Sequence, residues 1–153
     1  MLSSNNLSPI SLTTPYPLSP HNPNGPRRFK DSYGRERHFQ GTNVVVKGPP
    51  WLPDTGDYSP DISLSERDFE DMRAMGLNQL RLGIMWPGLE PLRGEYNYTY
   101  LDEYDQIVKK AAEYGIYTLI DGHQDAFNEY FCGEGVPDWA RVTPEEGGKL
   151  KSS

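Results

Sequence analysis

Two glycines, Gly76 and Gly115, stand 39 residues apart, and each separates an amphipathic helical run from an apolar, strand-like one. Glycine suits the left-handed residue that closes a helix, so both positions read as helix stops. The first run sets Leu64, Phe69, Met72 and Met75 on one stripe and leads into Leu77 to Trp86. The spacing of Ser63 and Glu66 at its start predicts a capping box with Ser63 as N-cap. The second run carries Leu101, Tyr104, Ile107, Val108 and Ala111 on one face and leads into Ile116 to Ile120. A β-branched candidate strand, Gln40 to Val46, precedes both. Helix–glycine–strand units at this interval require crossover connections, so the chain is expected to be α/β with a parallel sheet.

Around that centre the chain divides into three parts. Residues 1–26 carry Pro9, Pro15, Pro17, Pro20, Pro23 and Pro26 among Ser, Thr and Asn. So little apolar surface does not offset the entropy of ordering, and a disordered or loosely attached leader is expected; a Pro-rich ligand for a partner domain is the alternative. Residues 27–141 hold the folded part. It opens with two short strands flanking a turn marked by Asp31 and Gly34, and a long Pro/Gly-rich loop runs from Lys47 to Pro60. Residues 142–153 read as a polar tail. Three strands and two crossover helices make an unfinished sheet, because the third strand has no covering helix of its own.

Composition removes several classes of function. A net charge of −7 argues against binding a nucleic-acid backbone, which needs a basic face. No apolar run approaches the ~20 residues of a membrane span, and the start shows no signal peptide, so the compartment stays open. The one cysteine, Cys132, has no internal disulfide partner. Three histidines, His21, His38 and His123, show no metal-ligand spacing, so neither a metal nor another cofactor is expected. Asn97-Tyr98-Thr99 is a glycosylation triplet that would matter in a secreted chain.

The densest polar cluster is Asp121-Gly122-His123-Gln124-Asp125, directly after the third strand. In α/β folds ligands bind at the carboxyl ends of parallel strands, so this is the candidate site. Asp121 and Asp125 suit sugar hydroxyls or acid–base work, although a glycosidase needs two carboxylates flanking the scissile bond. Arg81, inside an apolar strand, requires an anionic partner; a plain ion pair satisfies that as well as a catalytic duty does. Trp86 offers either a face for a sugar ring or core packing, and Lys47, Trp51 and Tyr58 are the loop side chains placed to touch a ligand. Glu134, in Cys132-Gly133-Glu134-Gly135, reads as a substrate contact or a helix cap. Asn128-Glu129-Tyr130 only superficially matches the Asn-Glu-Pro of barrel glycosidases.

Taken together, the strand Arg37–Val46, the blocks Arg81–Pro91 and Tyr100-Leu101-Asp102, the segment Gly115–Asp125 and the run Phe131–Ala140 closely resemble the N-terminal part of endoglycoceramidases, retaining β-glycosidases of glycoside hydrolase family 5. The resemblance covers roughly residues 27–141. It implies a (β/α)8 TIM barrel of which about the first three strands are present. It also implies a monomer that cleaves the oligosaccharide–ceramide linkage of glycosphingolipids, with peripheral membrane contact through the lipid. Arg81 would support the nucleophile, with His123 shaping the adjacent subsite. Lys47, Asp121, Gln124 and Asp125 would bind substrate, and Trp86 would line the cleft. The family's acid/base and nucleophile glutamates have no counterpart here and are expected beyond Ser153. On this reading the chain is a truncated piece, inactive and poorly folded alone. Another family 5 specificity, such as a steryl-β-glucosidase or an endoglucanase, and a non-catalytic carbohydrate- or partner-binding product are the alternatives.

Overall fold

The computed structural model describes residues 7–13 and 27–141. In chain order the elements are β1 (Ser11–Leu12), β2 (Phe29–Lys30), β3 (Gly41–Val44), α1 (Glu66–Ala74), β4 (Gln79–Ile84), α2 (Trp86–Leu89), α3 (Tyr98–Glu113) and β5 (Tyr117–Gly122). Two single 3-10 turns follow, Glu129–Phe131 and Asp138–Ala140. The centre is a parallel sheet in the order β3-β4-β5. Its register aligns Asn43 with Arg81 and Leu119, and Gly83 with Asp121. Helix α1 links β3 to β4, and α2 with α3 links β4 to β5, which is the expected partial barrel.

Both glycine stops take the left-handed conformation, Gly76 at φ +77° and Gly115 at φ +77°. The alternation along β4 then sorts the side chains. Leu80 and Leu82 are fully buried beneath the helices, where they meet Phe69, Met72, Tyr104, Ile107, Ala111 and Ile116. The Tyr104 hydroxyl, inside that core, donates to the Leu82 carbonyl at 2.9 Å. Arg81 and Gly83 face the other side, which in a closed barrel is the interior. In the described sheet β5 is an edge strand: Leu119, level with Arg81 on the inward face, is 48% exposed, and Ile120, on the helix face, is 61% exposed.

Three expectations shift. The N-cap of α1 is Ser65, and the Asp68 carboxylate takes its backbone N–H and its hydroxyl, both at 2.7 Å. Ser63 is instead committed to Ser59, donating to its carbonyl at 2.8 Å and accepting its N–H at 2.9 Å. Met75 lies at the C-cap and is exposed, because the helix ends before the stripe returns to the core. The turn at Asp31 and Gly34 forms, with the Gly34 N–H donating to Asp31 O at 2.9 Å. Its hairpin reduces to a single bridge between Lys30 and Glu36, and the partner of β2 is β1, antiparallel, from the leader. The Tyr117 hydroxyl also donates to Ser8 O at 2.8 Å, so residues 7–13 are tied to the fold. The expectations for residues 1–6, 14–26 and 142–153 lie outside the described residues.

Candidate functional site

The inward face of β4 and β5 carries one polar chain. Arg81 Nη2 lies 2.7 Å from Asp121 Oδ2. The same oxygen is 2.9 Å from His123 Nδ1, whose Nε2 is 3.2 Å from Asp125 Oδ2. Lys47, arriving from the loop after β3, bonds Asp125 and sits 2.7 Å from Glu134 Oε1. Strand register explains the first half of this chain. Gly83 pairs with Asp121, and the missing side chain at 83 leaves space in which Val45 and His123 approach one another.

Charge is held firmly at the Lys47 end. Its hydrogen bond to Asp125, and then its ion pair with Glu134, keep the ammonium above the usual lysine range. The Lys47 bond in turn holds the Asp125 carboxyl below the usual carboxylate range. A carboxylate only accepts, so both His123 contacts are hydrogen bonds only when both ring nitrogens carry hydrogen. Every bond to Asp121 and Asp125 runs to Oδ2, which leaves Oδ1 of each without a partner among the described residues. The site thus presents carboxylate acceptors beside an ammonium donor, the combination that reads hydroxyl groups, since a hydroxyl both gives and accepts.

The other candidates fall around this chain. Trp86 begins α2 half-exposed; its indole N–H donates to Glu90 Oε2 at 2.7 Å and its ring meets Trp139 edge-on at 5.3 Å. The Trp139 indole N–H donates to Glu90 O at 3.0 Å, so Glu90 ties the two tryptophans together. The Trp86 bond, with the Gly94 N–H, holds the Glu90 carboxyl below its usual range. Gln124, expected to contact substrate, bonds its own turn through the amide oxygen and is exposed. Its amide, with the oxygen toward the following turn, accepts the N–H groups of Ala126 and Phe127. Backbone donors two and three residues ahead are within its reach, so the local turn occupies it. Asn128 is buried and accepts the Tyr130 N–H while donating to Asp138 at 3.0 Å, a brace for the segment after β5. Trp51, Pro87, Asn128, Glu129, Glu134 and Pro137 help line a cavity of about 200 Å³ beside the charged chain.

Glu134 is the residue that sequence reasoning placed least well. It lies inside the network, and the flanking glycines were the available signal. His123, Asp125 and Glu134 bring ligand-type atoms within 4.8 Å of one another. The Lys47 ammonium contacts both carboxylates there, so the chain itself supplies the positive charge a cation would bring. The same bridging argues against Asp125 and Glu134 as a hydrolytic acid/nucleophile pair, because one ammonium spans them where a scissile bond would need to lie. No helix among the described residues is long and apolar enough to cross a membrane.

A parallel βαβ sheet with polar and charged side chains gathered at its strand ends is the arrangement of the first part of a (β/α)8 barrel, whose sites lie at that end. The chain belongs to the family described as Cellulase (glycosyl hydrolase family 5), whose model matches residues 31–147. Over 114 residues it is 56% identical to an endoglycoceramidase of Cyanea nozakii, covering 74% of this chain and 22% of that protein. An endoglycoceramidase of Hydra vulgaris is 54% identical over 71% of this chain and 21% of its own length. The crystal structure of an endogalactoceramidase superposes with a TM-score of 0.61 at 30% identity, over 76% of this chain and 29% of that one. More distant matches include a glucosylceramidase and an ergosteryl-beta-glucosidase. The chain spans about a fifth of the length of the curated relatives it matches.

Proposed function

We propose that this chain forms the sugar-binding front of a retaining β-glycosidase of the endoglycoceramidase kind, acting on the glycan–ceramide linkage of glycosphingolipids. The observation that carries the proposal is the continuous chain Arg81–Asp121–His123–Asp125–Lys47 at the strand ends, in a family whose similar members include endoglycoceramidases. Lys47, Asp121 and Asp125 bind sugar hydroxyls, and His123 holds the two aspartates in register. Arg81 is an inward-facing cation on β4, placed to favour the ionised form of a carboxylate seated above it. Trp86 and Trp139, joined through Glu90, form an aromatic wall on which a sugar ring can stack. The nucleophile and the acid/base are two further glutamates that residues 7–13 and 27–141 do not supply. A membrane-bound glycolipid is thereby the substrate, met at the bilayer surface by a monomer.

The test is a chimera in which this chain's residues 27–141 replace the matching segment of the Cyanea nozakii relative. It is assayed for oligosaccharide release from ganglioside GM3, the glycolipid held in a solved complex of the Rhodococcus sp. enzyme. Release within about tenfold of the parent is expected, with Asp125→Asn raising KM about tenfold through loss of a charged hydrogen bond. A folded chimera that leaves GM3 intact overturns the proposal. Cleavage of a steryl glucoside in its place moves the chain to the other branch.

A further inference from the structure

The triplet Gly133-Glu134-Gly135 is built for close approach. A Cβ at 133 would stand 2.2 Å from the Asp125 carbonyl oxygen, and one at 135 would stand 2.6 Å from the His123 carbonyl oxygen. Two glycines therefore let the triplet lie directly against the strand-end segment. It is fastened there by paired backbone bonds, Asp125 N–H to Glu134 O at 3.0 Å and Glu134 N–H to Asp125 O at 2.8 Å. Between them the Glu134 side chain is carried inward until it is only 12% exposed.

A carboxylate so placed needs compensation. Glu134 Oε1 lies 2.7 Å from Lys47 Nζ and 3.9 Å from His123 Nε2, yet it is buried with no donor aligned on it. A buried anion without a hydrogen bond persists only beside an opposite charge. That charge is the Lys47 ammonium, on a flexible four-carbon stem that is half-exposed. With Asp125 alone, itself half-exposed, Lys47 would form the kind of surface pair that holds little geometry. With a second carboxylate fixed behind it, the ammonium has one place to be.

The geometry points to Glu134 as the positioning residue for Lys47: its buried charge pins the ammonium against Asp125 and so sets the donor that a substrate hydroxyl meets. The sugar half of this inference rests on the function proposed above; the coupling between Glu134 and Lys47 does not.

Two measurements separate them. In the full chain with isotope-labelled lysine, NMR follows the Lys47 ammonium through its titration, with Lys109 and Lys110 as internal references. Glu134→Gln keeps the volume and the backbone bridge and removes the charge. It is expected to move the Lys47 titration down toward the ordinary lysine range. A residue that merely braces the loop would leave that titration in place and change only the melting curve, which would overturn the inference. The chimera above supplies the second readout, and also the folded setting should the variant of the short chain not fold. There Glu134→Gln is expected to raise KM for GM3 about tenfold with kcat within about twofold, the pattern of lost binding. The same change is expected to add nothing in a Lys47→Met background, since a residue acting through another has no effect without it. An additive effect in that cycle also overturns the inference. A wild-type chimera that folds and does not act on GM3 removes the proposed function, and the NMR titration still decides the coupling.

Discussion

Gly135→Ala isolates the cost of bringing the loop after β5 against the strand end. Gly135 sits at φ +110°, a backbone region that an L side chain strains to enter. Holding alanine there costs about 1–3 kcal/mol. The added Cβ would also lie 2.6 Å from both Gln124 Cα and His123 O. Those are backbone atoms at the end of a hydrogen-bonded strand, so the loop must withdraw instead. Withdrawal breaks the two bonds between Asp125 and Glu134, each worth about 0.5–1.5 kcal/mol. The sum is about 2–6 kcal/mol, a large share of the ~5–15 kcal/mol that holds a domain folded. Gly115→Ala is the matched control, because Gly115 has φ +77° with nothing within 4 Å of its Cβ position. It bears the conformational cost alone, about 1–2 kcal/mol. Urea unfolding followed by tryptophan fluorescence compares the two, and hydrogen exchange locates the damage. For Gly135→Ala the Asp125 and Glu134 amides are expected to lose protection while the Leu82 amide keeps it. Equal destabilisation by the two substitutions, with the Glu134 amide still protected, would refute the close-approach argument.

Two further outcomes follow from local chemistry. Ser65→Ala removes the N-cap of α1 and the hydroxyl bonded to Asp68, and is expected to lower stability by about 1 kcal/mol in urea unfolding. Asp31 has a pH signature. Burial pushes its carboxyl up, but the N–H groups of Arg35 and Tyr33 and the Arg35 guanidinium outweigh it, so the carboxyl titrates below its ordinary 3.8. A folded value below the unfolded one means its stabilisation is present above pH 3.8 and is lost as acid protonates the folded form. Protection of the Tyr33 and Arg35 amides is expected to fall as the pH drops below 3.8, and Asp31→Asn to be less protected at neutral pH and to lack that acid step.

Much of the architecture was legible because it rests on local rules. Gly76 and Gly115 mark where helices must stop, since few other residues tolerate a positive φ, and the apolar runs after them alternate as strands do. Those signals give α/β order, parallel pairing and the location of the candidate site at Asp121–Asp125 without any long-range contact. The partner of β2 was not legible. Ser11–Leu12 has no strand-like composition, and a two-residue pairing leaves no periodic trace. The N-cap of α1 was misplaced by two residues because Ser63 and Ser65 both satisfy the sequence rule, and only the bonds of Ser59 to Ser63 separate them.

The site divides in the same way. The sequence by itself determined that Asp121, His123 and Asp125 gather at the end of β5, because neighbours in the chain stay neighbours in the fold. Tertiary structure decided which of them meet. Register set Gly83 opposite Asp121 and turned Arg81 toward that carboxylate. Lys47 crosses from 78 residues away to reach Asp125. Gln124 turned to its own backbone, and Glu134 was carried inward between two glycines to stand behind Lys47. Charge pairing in a partly dry site acts over a few ångströms of space whatever the separation along the chain, so only the folded geometry could choose the partners.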